Sequence, residues 1–222
     1  MKNDKCLIKI YKKLLRHFGP QYWWPAETPF EVMVGAILTQ NTAWPNVEKA
    51  IANLKKENVL SLKNMQRLSL KKLARLIRPS GFYNQKAKKL RTFLIFLLNL
   101  KQGRINKIRL IKTKDLRKAL LEVNGIGQET ADSILLYALG RPTFVVDAYT
   151  KRIFSRHGII PPGASYEEIQ EIFMSNLPKK IKLYNEYHAL IVATGKKYCK
   201  KNVPFCKNCP LKLVKRIKNM IY

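Results

Sequence analysis

The chain has 222 residues, with 43 lysines and arginines against 14 aspartates and glutamates, a net charge of +29. That length carries a real core in one domain or two small lobes, and a 46% apolar content excludes a disordered chain. The charge points to a polyanionic partner, nucleic acid before membrane, with lysine enrichment from base composition or a hot habitat as the plainer source.

The chain begins Met1-Lys-Asn-Asp-Lys, which is polar and unlike a signal peptide. Leu7, Ile8, Tyr11, Leu14, Leu15 and Phe18 then share one helical face, which Gly19-Pro20 ends. Tyr22-Trp23-Trp24-Pro25 is an aromatic cluster on a loop. Thr28-Pro29-Phe30-Glu31 predicts a capping box with proline in the first turn. The helix it opens runs through Val32, Ala36 and Leu38 to a polar interruption, Thr39-Gln40-Asn41-Thr42, and Trp44-Pro45. Further helices are expected over 46–56, near Leu70–Ile77 and over 86–100, with a loop at Arg78-Pro-Ser-Gly81-Phe82-Tyr83-Asn84. The longest apolar run, Phe93 to Leu98, is too short to span a bilayer. The protein is therefore expected to be cytoplasmic, nucleoid-associated in a prokaryote, with its cysteines not paired as disulfides.

Leu116, Ala119, Leu120 and Val123 recur at helical spacing, as do Ala131, Ile134, Leu135 and Ala138. Between them, Asn124-Gly125-Ile126-Gly127 makes a tight turn unobstructed by side chains. Such a turn aims the first amides of the second helix outward, where they suit an anion such as a DNA phosphate. Gly140 and Pro142 stop that helix, and the apolar run Phe144-Val145-Val146 ends in a single carboxylate, Asp147. A helix follows to about His157, with Gly158 after it, then a second capping box at Ser165-Tyr-Glu-Glu168, and a last helix carrying Tyr187, Leu190, Ile191 and Ala193 to near Gly195. Nothing alternates with period two, so the fold is expected to be all-α, with about ten helices.

The ordered pair of hairpin and acid resembles the endonuclease III family of helix-hairpin-helix DNA glycosylases. Gly125, Ile126, Gly127, Thr130, Ala131, Val146 and Asp147 match the family pattern, with Asn124 where a proline is usual. The resemblance implies two helical lobes: a six-helix lobe over 27–140, with the hairpin at about 113–139, and a second lobe from 1–26 with 141–222. It implies an active site in the cleft between them and a monomer acting on double-stranded DNA that contains damaged bases. Gly125, Ile126, Gly127 and Thr130 would hold a phosphate. Asp147 would stabilise the oxocarbenium character of the sugar and orient water. The plainer reading makes Asp147 a helix cap after a structural hairpin.

Members that also cut the backbone carry a lysine two residues after the second hairpin glycine, as Schiff-base nucleophile. Here that residue is Glu129, which implies a monofunctional enzyme. Glu129 also suits the first turn of a helix for its dipole alone. Trp23, Trp24 and Trp44, the chain's three tryptophans, with Pro25, offer flat faces for a flipped, cationic base. With the Gln40 and Phe82 loops they resemble the 3-methyladenine branch. Their plainer role is packing within a lobe. By the same resemblance Gln40 would fill the gap left by the base and Phe82 would wedge the duplex; otherwise both are turn residues.

Cys199, Cys206 and Cys209 are spaced as three ligands of the family's [4Fe–4S] loop, but Lys215 stands at the fourth position. A cluster with another fourth ligand, a zinc site on the same thiolates and a loop without metal all stay open, as does the role of Cys6. Lys196, Lys197, Lys200, Lys201 and Lys207 around this 199–209 loop would meet phosphates or stay as solvated charges. The expectation is a base-excision glycosylase for 3-methyladenine or another alkylated purine. The alternatives are a uracil, mismatch or oxidised-base glycosylase with lyase activity, and a non-catalytic hairpin DNA-binding protein.

Overall fold

A computed structural model describes residues 2–100 and 104–214, with the side chains of 2–5 left aside. Among these residues the protein is all-α: twelve helices and no strand. The elements are α1 (Lys2–Phe18), α2 (Pro29–Leu38), α3 (Trp44–Lys56), α4 (Leu62–Arg67), α5 (Leu70–Leu76), α6 (Tyr83–Asn99), α7 (Ile105–Ile108), α8 (Thr113–Leu121), α9 (Gln128–Ser133), α10 (Ala148–Arg156), α11 (Tyr166–Asn176) and α12 (Ile181–Lys197). No helix among the described residues is long and apolar enough to cross a membrane. The chain divides into two compact units, one of Met1–Pro25 with Pro142–Tyr222, the other of Ala26–Arg141.

The second unit is built around α2. Its sequence, PFEVMVGAIL, is apolar on every side, so it is buried on every side. It packs against α3, α6, α9 and the π-helical turn Ile134–Ala138 that continues α9. Thr28 caps α2 by accepting the Glu31 amide at 3.1 Å, but the reciprocal half of the expected box is absent. The Glu31 carboxylate instead takes the Glu27 amide at 3.1 Å and the Lys55 ammonium at 2.9 Å. Its two oxygens are thus taken by a cation and by the amide before the cap, not by the cap's own amide. The short helices α4 and α7 show no face in the sequence because one turn or so exposes no period, although Ser61 caps α4 through the Asn64 amide.

In the first unit α12 packs against α1 and α10, and α11 packs against α1. Its core is aromatic: Phe144 stacks on Phe173 at 4.1 Å, and Phe154, Tyr184 and Tyr187 meet them edge-on. The Tyr187 hydroxyl donates to the Leu7 carbonyl at 2.9 Å, so the ring enters the core without stranding its polar end. The expected Ser165–Glu168 box is complete in both directions.

Candidate active site

Thr143, Phe144, Val145 and Val146 are buried and lead straight into Asp147. The Val146 amide donates to the Tyr166 hydroxyl at 3.3 Å, fixing the strand-like approach. Asp147 has extended backbone and caps α10. Its Oδ1 accepts the Thr150 amide at 2.7 Å and the Thr150 hydroxyl at 2.8 Å. Its Oδ2 faces His188 Nε2 on α12 at 3.6 Å. Both side chains are nearly closed to solvent: Asp147 and His188 are each 7% exposed. Burial pushes the carboxyl up, but His188 and the two Thr150 donors outweigh it and leave Asp147 below the usual aspartate value. The acid is thus both a cap and a retained charge, with one oxygen committed to α10 and the other turned away from it.

Helix α12 comes close enough to place His188 because residue 195 is glycine. A Cβ there would fall inside the Tyr149 ring of α10. The apolar spacing marks Tyr187, Leu190, Ile191 and Ala193 along this helix and gives no role to His188. The signal was present: a histidine one turn after Tyr184, on a face otherwise apolar.

In the same unit, the rings of Trp23 and Trp24 lie 5.2 Å apart at 54°. Both are half-buried, their shared peptide is cis, and Pro25 is exposed. Trp44 is half-buried at the first position of α3, in the other unit.

The hairpin lies in the second unit, between α8 and α9. Gly125 takes φ +90°, which a side chain would resist, and the Ile126 amide closes the turn on Val123 O at 3.0 Å. Gly127 caps α9, and a Cβ there would meet open space, so the turn stays unobstructed where an anion would approach. Ile126 and Thr130 are buried and Glu129 is exposed. Arg117 of α8 grips the fully buried Asp132 of α9 with two bonds, 2.8 and 3.0 Å long, and so fixes the angle of the hairpin.

Gln40 is bonded to that hairpin. Its Nε2 donates to Gly125 O and to Thr130 Oγ1, both at 3.0 Å, and its Oε1 accepts from Lys89 Nζ at 2.6 Å. One turn earlier on α6, buried Lys86 donates to Leu38 O at 2.8 Å and Ser80 O at 2.6 Å. It therefore ties the base of the Gln40 loop to the base of the Phe82 loop. Phe82 is 65% exposed at φ +45°, an apolar ring presented to solvent.

The cysteine loop is held by the chain itself. Arg152 Nε donates to Cys199 O at 2.7 Å, and Arg156 reaches Lys200 O at 2.7 Å, Lys201 O at 2.6 Å and Cys199 Sγ at 3.3 Å. Cys209 Sγ accepts the Leu211 amide at 3.4 Å, and burial, then the nearby Cys199 and Cys206, push its thiol up. Cys206 is exposed, and Cys6 stands on α1 within electrostatic reach of Tyr187. Among the described residues no group of three or more histidine, cysteine or acidic side chains is arranged to hold a metal ion. Residue 215, the expected fourth position, lies outside the described residues.

Residues 34–179 match the model of the HhH-GPD superfamily base excision DNA repair proteins. A protein of Methanocaldococcus jannaschii named "Putative DNA repair glycosylase MJ1434" is 55% identical over 96% of this chain and 97% of its own. Among solved structures, the 3-methyladenine DNA glycosylase of H. pylori bound to 1,N6-ethenoadenine is 33% identical, with a TM-score of 0.75 over 88% of this chain and 97% of that one. A non-covalent endonuclease III–DNA complex has the same fold, at a TM-score of 0.81 and 22% identity over 96% and 95% of the two chains.

Proposed function

We propose, for a chain that belongs to the HhH-GPD superfamily of base excision DNA repair proteins, the monofunctional excision of alkylated purines, 3-methyladenine first, from double-stranded DNA. The chain is a DNA glycosylase, and the observation that carries the reaction is the buried Asp147 carboxylate, kept ionised with one oxygen turned away from its helix. As the C1′–N bond breaks, its electron pair leaves with the base, and a cationic 3-methyladenine departs neutral. The positive charge passes to the sugar, where the fixed carboxylate stabilises it in a site of low dielectric. Water then bonds to C1′ and gives up a proton to the carboxylate or to solvent. The products are the free base and an abasic site.

Glu129 stands where a lyase needs an amine, so in this reading the abasic strand is left uncut. Trp23 and Trp44 would offer the stacking faces for a cationic purine, with Trp24 and Pro25 as pocket wall. The 33% identical 3-methyladenine glycosylase supports the same choice. The Gly125–Gly127 turn and Thr130 would take a phosphate, Phe82 would wedge the duplex, and Gln40 would exchange its bonds to Gly125 and Thr130 for the gap left by the base. The cysteine loop serves here as a folded, lysine-rich surface for the backbone.

The test is base release from methylated duplex DNA, with the freed bases separated and strand cleavage followed in parallel. Free 3-methyladenine with intact abasic strands is the expected result. Release of uracil or oxidised bases, with no methylated base freed, would overturn the substrate. Release with strand cleavage would overturn the assignment of Glu129.

A further inference from the structure

We propose that His188 is the positioning residue for Asp147, holding the free oxygen of the carboxylate where the sugar's charge develops. The inference rests on the reading of Asp147 as the acid of the reaction.

The geometry divides the carboxylate into two parts. Oδ1 receives both Thr150 donors and is spent on the start of α10. Oδ2 is the oxygen left for chemistry, and the side chain facing it is His188 Nε2, at 3.6 Å. An aspartate with one satisfied oxygen still swings about χ2, because a terminal sp³–sp² torsion has a broad well. A second polar contact from a different helix removes that freedom. His188 is well placed to supply it, since it is itself buried: it is 7% exposed, on the turn between the fully buried Tyr184 and Ile191. The register of the two helices is set by the contact of Gly195 with Tyr149, where no larger residue fits. The groups around the acid are Thr150 from α10, Tyr166 from α11 through the Val146 amide, and His188 from α12. Of these, among the described residues, His188 is the one that faces Oδ2 and carries an ionisable nitrogen. It also opposes the burial that would protonate the acid.

A capping aspartate needs no such partner. The Oδ1 bonds complete the helix, and a purely structural residue 188 on this apolar face would be served by leucine or phenylalanine. The histidine is explained by the second oxygen.

The experiment is single-turnover base release and DNA affinity for His188→Phe, His188→Gln and Asp147→Asn, each with its melting temperature. Phenylalanine keeps a ring of similar size and removes the polar nitrogen; glutamine keeps a donor at about the same reach. The expected outcome is a release rate reduced ~10–100-fold in His188→Phe, the scale on which groups that orient a reactive residue act. DNA affinity should be unchanged, and His188→Gln should recover most of the rate. A His188→Phe protein that releases base at the wild-type rate would overturn the inference. So would two variants equally slow and equally destabilised, because packing alone would then account for the loss. Asp147→Asn separates this from the underlying reading: if that variant keeps its rate, Asp147 is not the acid and both fall together.

Discussion

Among the ionisable side chains each unit buries, Asp147 in one and Lys86 in the other are shifted in the same direction with opposite consequences. Asp147 lies below its ordinary value because His188 and Thr150 outweigh burial. Lys86 is lowered to about 8 because burial, helped by the neighbouring Lys89, outweighs its bonds to two carbonyls. For the acid, the shift means the charge is kept. For the base, it means the charge is close to being given up. The difference is in the partners: a carboxylate facing two hydrogen-bond donors and an imidazole is replaced in its solvation, whereas an ammonium facing only carbonyls beside another cation is not. A buried charge maintained at such a cost suits chemistry. A buried ammonium whose proton is held less firmly than usual suits a clamp, which needs donors more than it needs a fixed charge.

The largest test of this contrast is activity. Asp147→Asn should lower single-turnover base release by ~10²–10⁴-fold, the range spanned by lost acid–base and electrostatic groups. DNA binding should be preserved or tightened, since a negative charge near phosphates is removed. Lys86→Met should leave the release rate within about tenfold of wild type and show its effect mainly in melting temperature, through the two carbonyls it strands. Equal losses of rate in the two variants would erase the distinction between chemistry and clamp.

The next effect in size belongs to the hairpin. Arg117→Met removes the bidentate partner of Asp132, whose side chain is 0% exposed. Removing one member of a buried pair costs about 3–5 kcal/mol, so denaturant unfolding should move by that order and DNA affinity should fall with it. A smaller loss is expected of Gly195→Ala. Its methyl group would meet the Tyr149 ring, and overpacking of this kind costs about 1–3 kcal/mol. Because the same contact sets α10 against α12, base release should fall more than stability alone predicts. A variant that is destabilised but fully active would mean that Asp147 tolerates a shift of α12.

What the sequence discloses follows from how far each feature reaches along the chain. The hairpin is legible because its turn needs glycine at a left-handed position and its two helices carry their own periodicity. Asp147 is legible as the end of an apolar run. His188 is legible only as a polar residue on an apolar face, because its partner lies on another helix and only packing brings them together. The two capping boxes show the same limit at shorter range: Ser165–Glu168 closes as written, while Glu31 is drawn off by Lys55 from α3. The cysteine spacing is a local pattern too, but its expected fourth position, residue 215, lies outside the described residues, and among those no group of three or more histidine, cysteine or acidic side chains is arranged to hold a metal ion. Tryptophans close in sequence fall in different units, Trp23 and Trp24 in one and Trp44 in the other, because the unit boundary at Pro25 runs between them.

The smallest effect is a dependence on pH, and its sign follows from which state binds the proton. The lysine in the unfolded chain titrates near 10.5, and Lys86 in the folded protein near 8. Below about pH 8 both states are protonated, and the folded protein bears the full cost of the buried ammonium. Between about 8 and 10.5 the unfolded chain binds more protons than the folded one, so stability attributable to this residue rises with pH, by at most about 1.4 kcal/mol per pH unit. Other groups titrate in this window, so the measurement is the difference between wild type and Lys86→Met in chemical unfolding at pH 7, 9 and 10. The difference should be flat below pH 8 and move in favour of wild type above it. Asp147→Asn should produce no slope in that window, because a lowered aspartate loses its contribution only as pH falls below the ordinary carboxylate range. A flat Lys86 difference through pH 10 would show that the two carbonyls compensate the ammonium after all, and that the two buried charges are held alike.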